Sequence, residues 1–377
     1  MALCLAVAFS TNAAVLHVPA DYPTIQAAVH AAASGDAIRI AAGTYTEQVL
    51  VTAKNLRFVG VPGTVLKAQP AMIQTLPPAG NVIPAGAGIL AVHLAEVTVK
   101  DITFDGARLG DANAQVGGIV GVWLNGSSAH VEHCSFTGFR GDPSVAGGSG
   151  ISTGNLVVFG TPVVEITVNG CTFADNGTAM DLEGDTFANS PTPRTVIDIQ
   201  DNTITGVDPS DPQNPGIQIL PAVTGRVKGN LIQHAAWGVL ALDVYGYSAS
   251  PPSPEPLQAV SYEANKFVDD GYGLISAKAH GSRFVNNRFD RSNVGLASSG
   301  TGDQIINNRF ADSSAGIVLL GDDPTFGTAL GTAGEATLIG NGFCQVADPI
   351  VTEPLVTGTV EHGSRLNDCQ DQNGGHH

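Results

Sequence analysis

Residues 284–296 read Phe284-Val285-Asn286-Asn287-Arg288-Phe289-Asp290-Arg291-Ser292-Asn293-Val294-Gly295-Leu296. Beginning 21 residues later the chain reads Ile305-Ile306-Asn307-Asn308-Arg309-Phe310-Ala311-Asp312-Ser313-Ser314-Ala315-Gly316-Ile317. Both stretches carry one register: apolar, two variable residues, Asn, one variable residue, Phe, then a strand opening at Gly. Working outward, the register returns at Val131…Cys134…Phe136, Val168…Cys171…Phe173, Ile199…Asn202…Ile204 and Val227…Asn230…Ile232. It returns again at Tyr262…Asn265…Phe267 and Leu338…Asn341…Phe343, with an earlier copy, Val99…Ile102…Phe104, that has Ile in the Asn slot. Nine copies of one register mean a stacked solenoid.

The Phe or Ile slot falls at 104, 136, 173, 204, 232, 267, 289, 310 and 343, with spacings of 32, 37, 31, 28, 35, 22, 21 and 33. Constant short strands joined by variable loops give that pattern, and the shortest coil still holds three short strands. One strand precedes the Asn or Cys slot and alternates, as in Val164, Ile166, Val168. Another follows the Phe slot and begins at Gly or Ala: Gly118-Ile119, Gly150-Ile151, Ala179-Met180, Gly216-Ile217, Gly238-Val239, Gly273-Leu274, Gly295-Leu296 and Gly316-Ile317. Stacked in register, such strands form parallel sheets, and each Asn reaches its counterparts above and below.

Composition agrees with an extended buried core. The chain has 377 residues, of which only 14% are charged and 46 are Gly, and the mean hydropathy is slightly positive. In a solenoid the core lengthens instead of thickening, so this length does not require several domains. The formal charge of −17 disfavours nucleic acid as a partner. It also counts against polyanionic glycans unless a metal ion or a local basic cleft intervenes. No apolar run after the N-terminus is long enough for a membrane span.

Residues 1–14 read as an export signal without a basic start: an apolar run at 2–9, then Ala13 and Ala14. This places the protein outside the cell or in the periplasm. Removing that segment removes Cys4 and leaves four cysteines. Cys344 and Cys369 bracket the C-terminal segment and are expected to form a disulfide. Cys134 and Cys171 share a slot in successive coils, as a second bridge or as two stacked thiols. At the other end, residues 15–35 are a capping segment. Within it Asp21-Tyr22-Pro23-Thr24 supplies a cap and a proline for a first turn. Residues 25–33 then read as a short helix that covers the open end with Ile25, Ala28 and Val29.

These features resemble the right-handed parallel β-helix of the pectin lyase-like superfamily, over roughly residues 36–345, with 346–377 as C-terminal cap and tail. The resemblance implies an all-β solenoid of about ten coils. The stretches Tyr22-Pro23-Thr24-Ile25-Gln26-Ala27-Ala28 and Gly43-Thr44-Tyr45-Thr46-Glu47 look like the opening of pectinesterases, and they mark the first coil instead of a catalytic site. Later pectinesterase motifs are absent, as is the basic pattern of pectate lyases. Gly321-Asp322-Asp323 is similar to an acidic pair of polygalacturonases, but that family's Gly-His-Gly and Arg-Ile-Lys motifs are missing.

In this superfamily catalytic residues usually lie on the outward face of the sheet that follows the Phe slot. Alternation from the Gly or Ala sends the second and fourth positions outward. The face then reads Leu90 and Val92, Val120 and Val122, Ser152 and Gly154, Asp181 and Glu183, Gln218 and Leu220. It continues with Leu240 and Leu242, Ile275 and Ala277, Ala297 and Ser299, Val318 and Leu320. It is aliphatic except for the island Ser152, Asp181, Glu183 and Gln218. Two carboxylates at i and i+2 of a strand lie about 7 Å apart at the backbone, within the ~6.5–9.5 Å of an inverting glycosidase pair. Asp181 and Glu183 are therefore the catalytic candidates, with Ser152, Gln218, Arg140, Asp243 and Tyr245 as substrate contacts. Loops 138–149 (with Arg140 and Asp142) and 205–215 (with Asp208 and Asp211) would wall the island. The same carboxylates also read as solvated side chains, or as a Ca²⁺ site with Asp185.

Other groups are secondary. Lys278, His280 and Arg283 would suit a lyase on acidic sugars. His130, Glu132 and His133 suggest a metal site or, more simply, surface histidines. Trp123, Trp237, Tyr245 and Tyr247 would stack on sugars or lie under loops. The sequence therefore points to an exported protein acting on a polysaccharide or oligosaccharide, as hydrolase or lyase. The alternative is a non-catalytic glycan-binding, surface or periplasmic accessory β-helix.

Overall fold

The computed structural model describes residues 13–73, 87–116, 118–142, 147–154, 163–184, 195–211, 215–220, 223–242, 260–277, 281–321, 333–367 and 369. Among the described residues the chain winds through three parallel sheets of 13, 12 and 11 strands. Sheet one runs from Val15–Val18 to Val360–His362, sheet two from Gly43–Thr46 to Arg365–Leu366, and sheet three from Val49–Thr52 to Asp348–Thr352. Each strand pairs with its equivalent in the next coil, as Phe289 does with Phe310. The stack extends past the span 36–345 at both ends, because Val15–Val18 pairs with Ala37–Ile40 and Val360–His362 pairs with Thr337–Ile339. The earliest coils escape the register because Leu66 stands where Phe104 stands one coil later.

The Asn slot closes the turn between sheets one and two. Asn287 Oδ1 accepts from the Asn265 backbone N–H and from Asn265 Nδ2, both at 3.0 Å. Its own Nδ2 donates to the Tyr262 carbonyl at 2.8 Å and to Asn308 Oδ1 at 3.0 Å. The pattern repeats from Asn202 to Asn341 with every amide buried. Cys171 continues it as a poorer acceptor, its Sγ lying 3.4 Å from the Cys134 amide. Both thiols are free and buried, which settles them as stacked cysteines, not a bridge. Cys344 and Cys369 are bonded. The residue before each slot has a left-handed backbone, for example Asn286 and Asn307 at φ 56° and 53°, which turns the chain sharply.

Inside, the Phe slots form two ring stacks, Phe104–Phe136–Phe173 and Phe267–Phe289–Phe310–Phe343, with centroids 4.8–5.2 Å apart. The glycines that open sheet-three strands make room for these rings. A Cβ on Gly273 would sit 2.5 Å from Phe289 Cδ1, and one on Gly295 would sit 2.4 Å from Phe310 Cδ1. Ala179 is tolerated in this column where the next coil offers Ile204 in place of Phe.

The helix Ile25–Ala31 buries Ile25, Ala28 and Val29 over the first coil. Thr24 caps it by accepting from the Ala27 N–H at 3.1 Å. The Glu47 carboxylate accepts from the Ile25 and Gln26 N–H groups, both at 3.0 Å, so this residue of the opening motif ties helix to coil. Lys54 Nζ binds the carbonyls of Val29 and Ala32 at the other end.

Gly273→Ala is expected to destabilise the fold by about 1–3 kcal/mol through overpacking against Phe289. A fall in the urea midpoint with an unchanged slope checks this.

Candidate functional site

Register partners define the two sides of sheet three. Val122, Ile151, Met180, Ile217, Val239 and Leu274 are paired in turn and belong to the core. The residue after each points outward, giving the column Trp123, Ser152, Asp181, Gln218, Leu240, Ile275. Asp181 thus lies in register with Ser152 on one side and Gln218 on the other, as expected. The count from Gly118 fails in the early coils. Gly118 stands before the seven-residue strand Ile119–Asn125, and Gly121 occupies the place beside Phe136 that Gly150 occupies beside Phe173. Leu90, Val92 and Val122 are therefore core residues, and Ala91 and Trp123 take the outward places.

Apolar groups flank the polar run on the same face: Ala91, Val120 and Trp123 toward the N-terminus, and Leu240, Ile275, Ala297 and Leu320 toward the C-terminus. Asp181 as a whole keeps partial solvent contact, but its Oδ1 is shut off from solvent and has no hydrogen-bond partner. Burial pushes the carboxyl up to about 6, against a hydrogen bond from Ser152 that favours the ionised form. A carboxyl so placed holds a proton in mildly acid solution and can donate it.

Glu183 follows the last residue of the strand Thr178–Leu182, and its backbone is clamped to neighbouring coils. The Thr153 hydroxyl accepts from the Glu183 N–H at 2.5 Å and donates to its carbonyl at 2.9 Å. Thr195 Oγ1 donates to the same carbonyl at 3.3 Å. The outward column through Glu183 contains two residues that the sequence reading missed, His93 and Asn125, which are register partners. His93 Nδ1 and Asn125 Oδ1 are buried and unpartnered, and burial lowers the His93 pKa. Anchoring the strand at Gly121 would have revealed both.

The other expected contacts are distributed differently. Arg140 is committed to Asp175, Nε to Oδ1 at 2.5 Å, and Asp175 also accepts from Arg108 at 2.7 Å. This triad sits at the turn between sheets two and three. Asp243, Tyr245, Tyr247, Asp185, Lys278, His280, Asp322 and Asp323 lie outside the described residues, as do Cys4, residues 1–12, and parts of loops 138–149 and 205–215. His130, His133 and Glu132 are oriented toward Glu96, Asp101 and Lys100 respectively, as separate surface pairs. No group of three His, Cys, Asp or Glu suited to a metal ion occurs among the described residues, and no helix there is long and apolar enough to cross a membrane.

Two further features are structural. A concavity of about 390 Å³ at the turn ridge is lined by Ser210, Asp269, Arg291 and Asp312, but Asp269 and Arg291 satisfy each other through bonds of 2.7 and 2.9 Å. Asp303 is also pushed up to about 6 by burial, yet it is wholly interior, binding Ser298 and the Ser282 N–H. A raised carboxyl pKa marks a site only where the group meets the surface.

The fold is a parallel β-helix. A mannuronic acid-specific polysaccharide family 6 lyase from human gut microbiota is similar over 88% of this chain and 77% of its own, at 13% identity and TM-score 0.57. The catalytic unit of a thermostable α-1,3-glucanase from Streptomyces thermodiastaticus is similar over 90% and 65%, at 14% identity and TM-score 0.49. The mannuronan C-5 epimerase A-module of Azotobacter vinelandii is similar over 89% and 92%, at 13% identity and TM-score 0.44. At these identities the likeness is one of fold. No protein-family model matches the chain, and no curated protein sequence does.

Because the folded pKa of Asp181 is raised to about 6, the unfolded chain ionises first, and stability present in full below about pH 4 is lost as the pH rises through about 6. Asp181→Asn removes that loss. The variant is expected to be more stable by about 1–3 kcal/mol at about pH 8, the gain vanishing below about pH 4. Urea unfolding at both pH values checks it.

Proposed function

We propose that this protein acts on a polysaccharide, cleaving it in a cleft on the outer face of sheet three centred on Asp181 and Glu183. One observation carries the reading: a carboxyl with a raised pKa and a buried, unpartnered Oδ1 stands in register between Ser152 and Gln218, two residues before a second carboxylate. Extended backbone spacing puts residues 181 and 183 about 7 Å apart at their Cα atoms, and Thr153 clamps the Glu183 backbone. Asp181 is the proton donor and Glu183 the base, while Ser152 and Gln218 orient the sugar on either side. Asp243 and Tyr245 are further proposed contacts.

Export is part of the proposal. The apolar N-terminal run supports it, and so does the Cys344–Cys369 disulfide, a bond that persists in oxidising compartments. The aliphatic character of the flanking face favours a second reading, a glycan-binding accessory β-helix without catalysis.

A polysaccharide-degradation screen combined with a glycan array separates the two. Cleavage is expected, reduced about 10²–10⁴-fold in Asp181→Asn and in Glu183→Gln. Undiminished cleavage in both variants would remove this centre, and binding without cleavage would establish the accessory role.

A further inference from the structure

The positive charge of this chain is unevenly placed, and its distribution bears on which polysaccharide the Asp181 face accepts. The inference rests on that face being the site. Of 17 Lys and Arg residues, Arg194 and Lys278 lie outside the described residues, which leaves 15. All 15 stand on strands of sheets one and two or in connecting turns, and none is on a strand of sheet three. Several are already tied to carboxylates, as Arg226 is to Asp198, Arg288 to Asp290 and Lys67 to Asp105. The basic side chain that sheet three does carry is His93, whose pKa burial lowers. It lies three strands from Asp181 in the sheet order, about 14 Å away.

A polyuronate brings one carboxylate per sugar. Elimination or epimerisation removes the proton beside that carboxylate, and the developing charge must be met by a cation or by aimed donors. The outer face of sheet three offers Asp181 and Glu183 instead, with Ser152 and Gln218 as neutral neighbours. Glu183, joined by Asp181 once that group ionises, places negative charge on a partly buried and weakly screened face, so a polyuronate would be repelled. The apolar flanks suit the carbon-bound hydrogens of an uncharged sugar. Trp237 and Tyr272, half-buried register partners, stand on this face roughly 14 Å and 18 Å from Asp181.

We propose that the substrate is an uncharged polysaccharide and that the reaction is hydrolysis of its glycosidic bond. Asp181 gives its proton to the leaving oxygen as the bond to the anomeric carbon breaks. Glu183 takes a proton from the water whose oxygen bonds to that carbon. One water is consumed, a reducing end and an alcohol result, and proton exchange with solvent restores the two carboxyl groups. An inverting course needs about 6.5–9.5 Å between the two carboxyl groups to admit that water, a range that includes the ~7 Å backbone spacing of residues 181 and 183.

The test uses the full chain on neutral glucans, mannans and galactans, and on alginate and polygalacturonate, each in EDTA and in added Ca²⁺. Reducing ends, unsaturated uronate absorbance and affinity electrophoresis with and without NaCl are read. The expected result is reducing-end release from a neutral glycan without unsaturated product, lowered about 10²–10⁴-fold by Asp181→Asn or Glu183→Gln and retained in Lys278→Ala. Polyuronate cleavage that gives unsaturated ends and depends on Asp181 would overturn the substrate class while keeping the centre. Neutral-glycan cleavage indifferent to both carboxylate variants would instead overturn the site. Loss of activity in Lys278→Ala, or neither binding nor cleavage across the neutral panel, would overturn the proposal.

Discussion

Every coil from Asn202 to Asn341 is closed by a buried amide whose Oδ1 binds the coil before it. An unpaired amide at such a depth costs about 1–3 kcal/mol, so each coil must lie one strand spacing from the next, about 4.8 Å. The Phe rings demand the same pitch, since their centroids stack at 4.8 Å in the central coils. Polar and aromatic columns thus impose one repeat from opposite sides of the turn. Coil length is then free to vary, because loops leave and rejoin a stack whose pitch they do not set.

That rigid pitch makes the outer face of sheet three useful. A strand in a regular stack presents its outward side chains to neighbours at a fixed distance, so Asp181 meets Ser152 and Gln218 without a dedicated loop. One carboxyl oxygen is shut off from water there, and the lost solvation raises the Asp181 pKa. Other acidic residues show the contrast. Asp198 and Asp269, paired with Arg226 and Arg291 on the solvated surface, are held below the ordinary range mainly by those hydrogen bonds.

Much of this was legible in the chain. The repeat identified the fold, the ladder and the Phe slot, and residues 21–33 identified the helix that caps the first coil. Alternation brought Ser152, Asp181 and Gln218 to one column. Alternation failed at Gly118, because a seven-residue strand looks like a five-residue one when each coil is read alone. His93 and Asn125 were lost for that reason, and Trp123 was placed without its column. Arg140 was expected at the island, but its guanidinium meets Asp175, which lies 35 residues away in sequence.

By itself the sequence determined what each residue is within a coil: ladder, ring, bend or outward place. Those roles come from side-chain size and hydrogen-bonding capacity, which repeat along the chain whatever the loop lengths. Only the tertiary structure decided how coils of 21 to 37 residues align along the stack. That alignment fixed which outward residues are neighbours, left Cys134 and Cys171 as free thiols, and buried one oxygen of Asp181. Burial and pairing depend on atoms contributed by adjacent coils, and the distance between those coils is set in space, not in sequence.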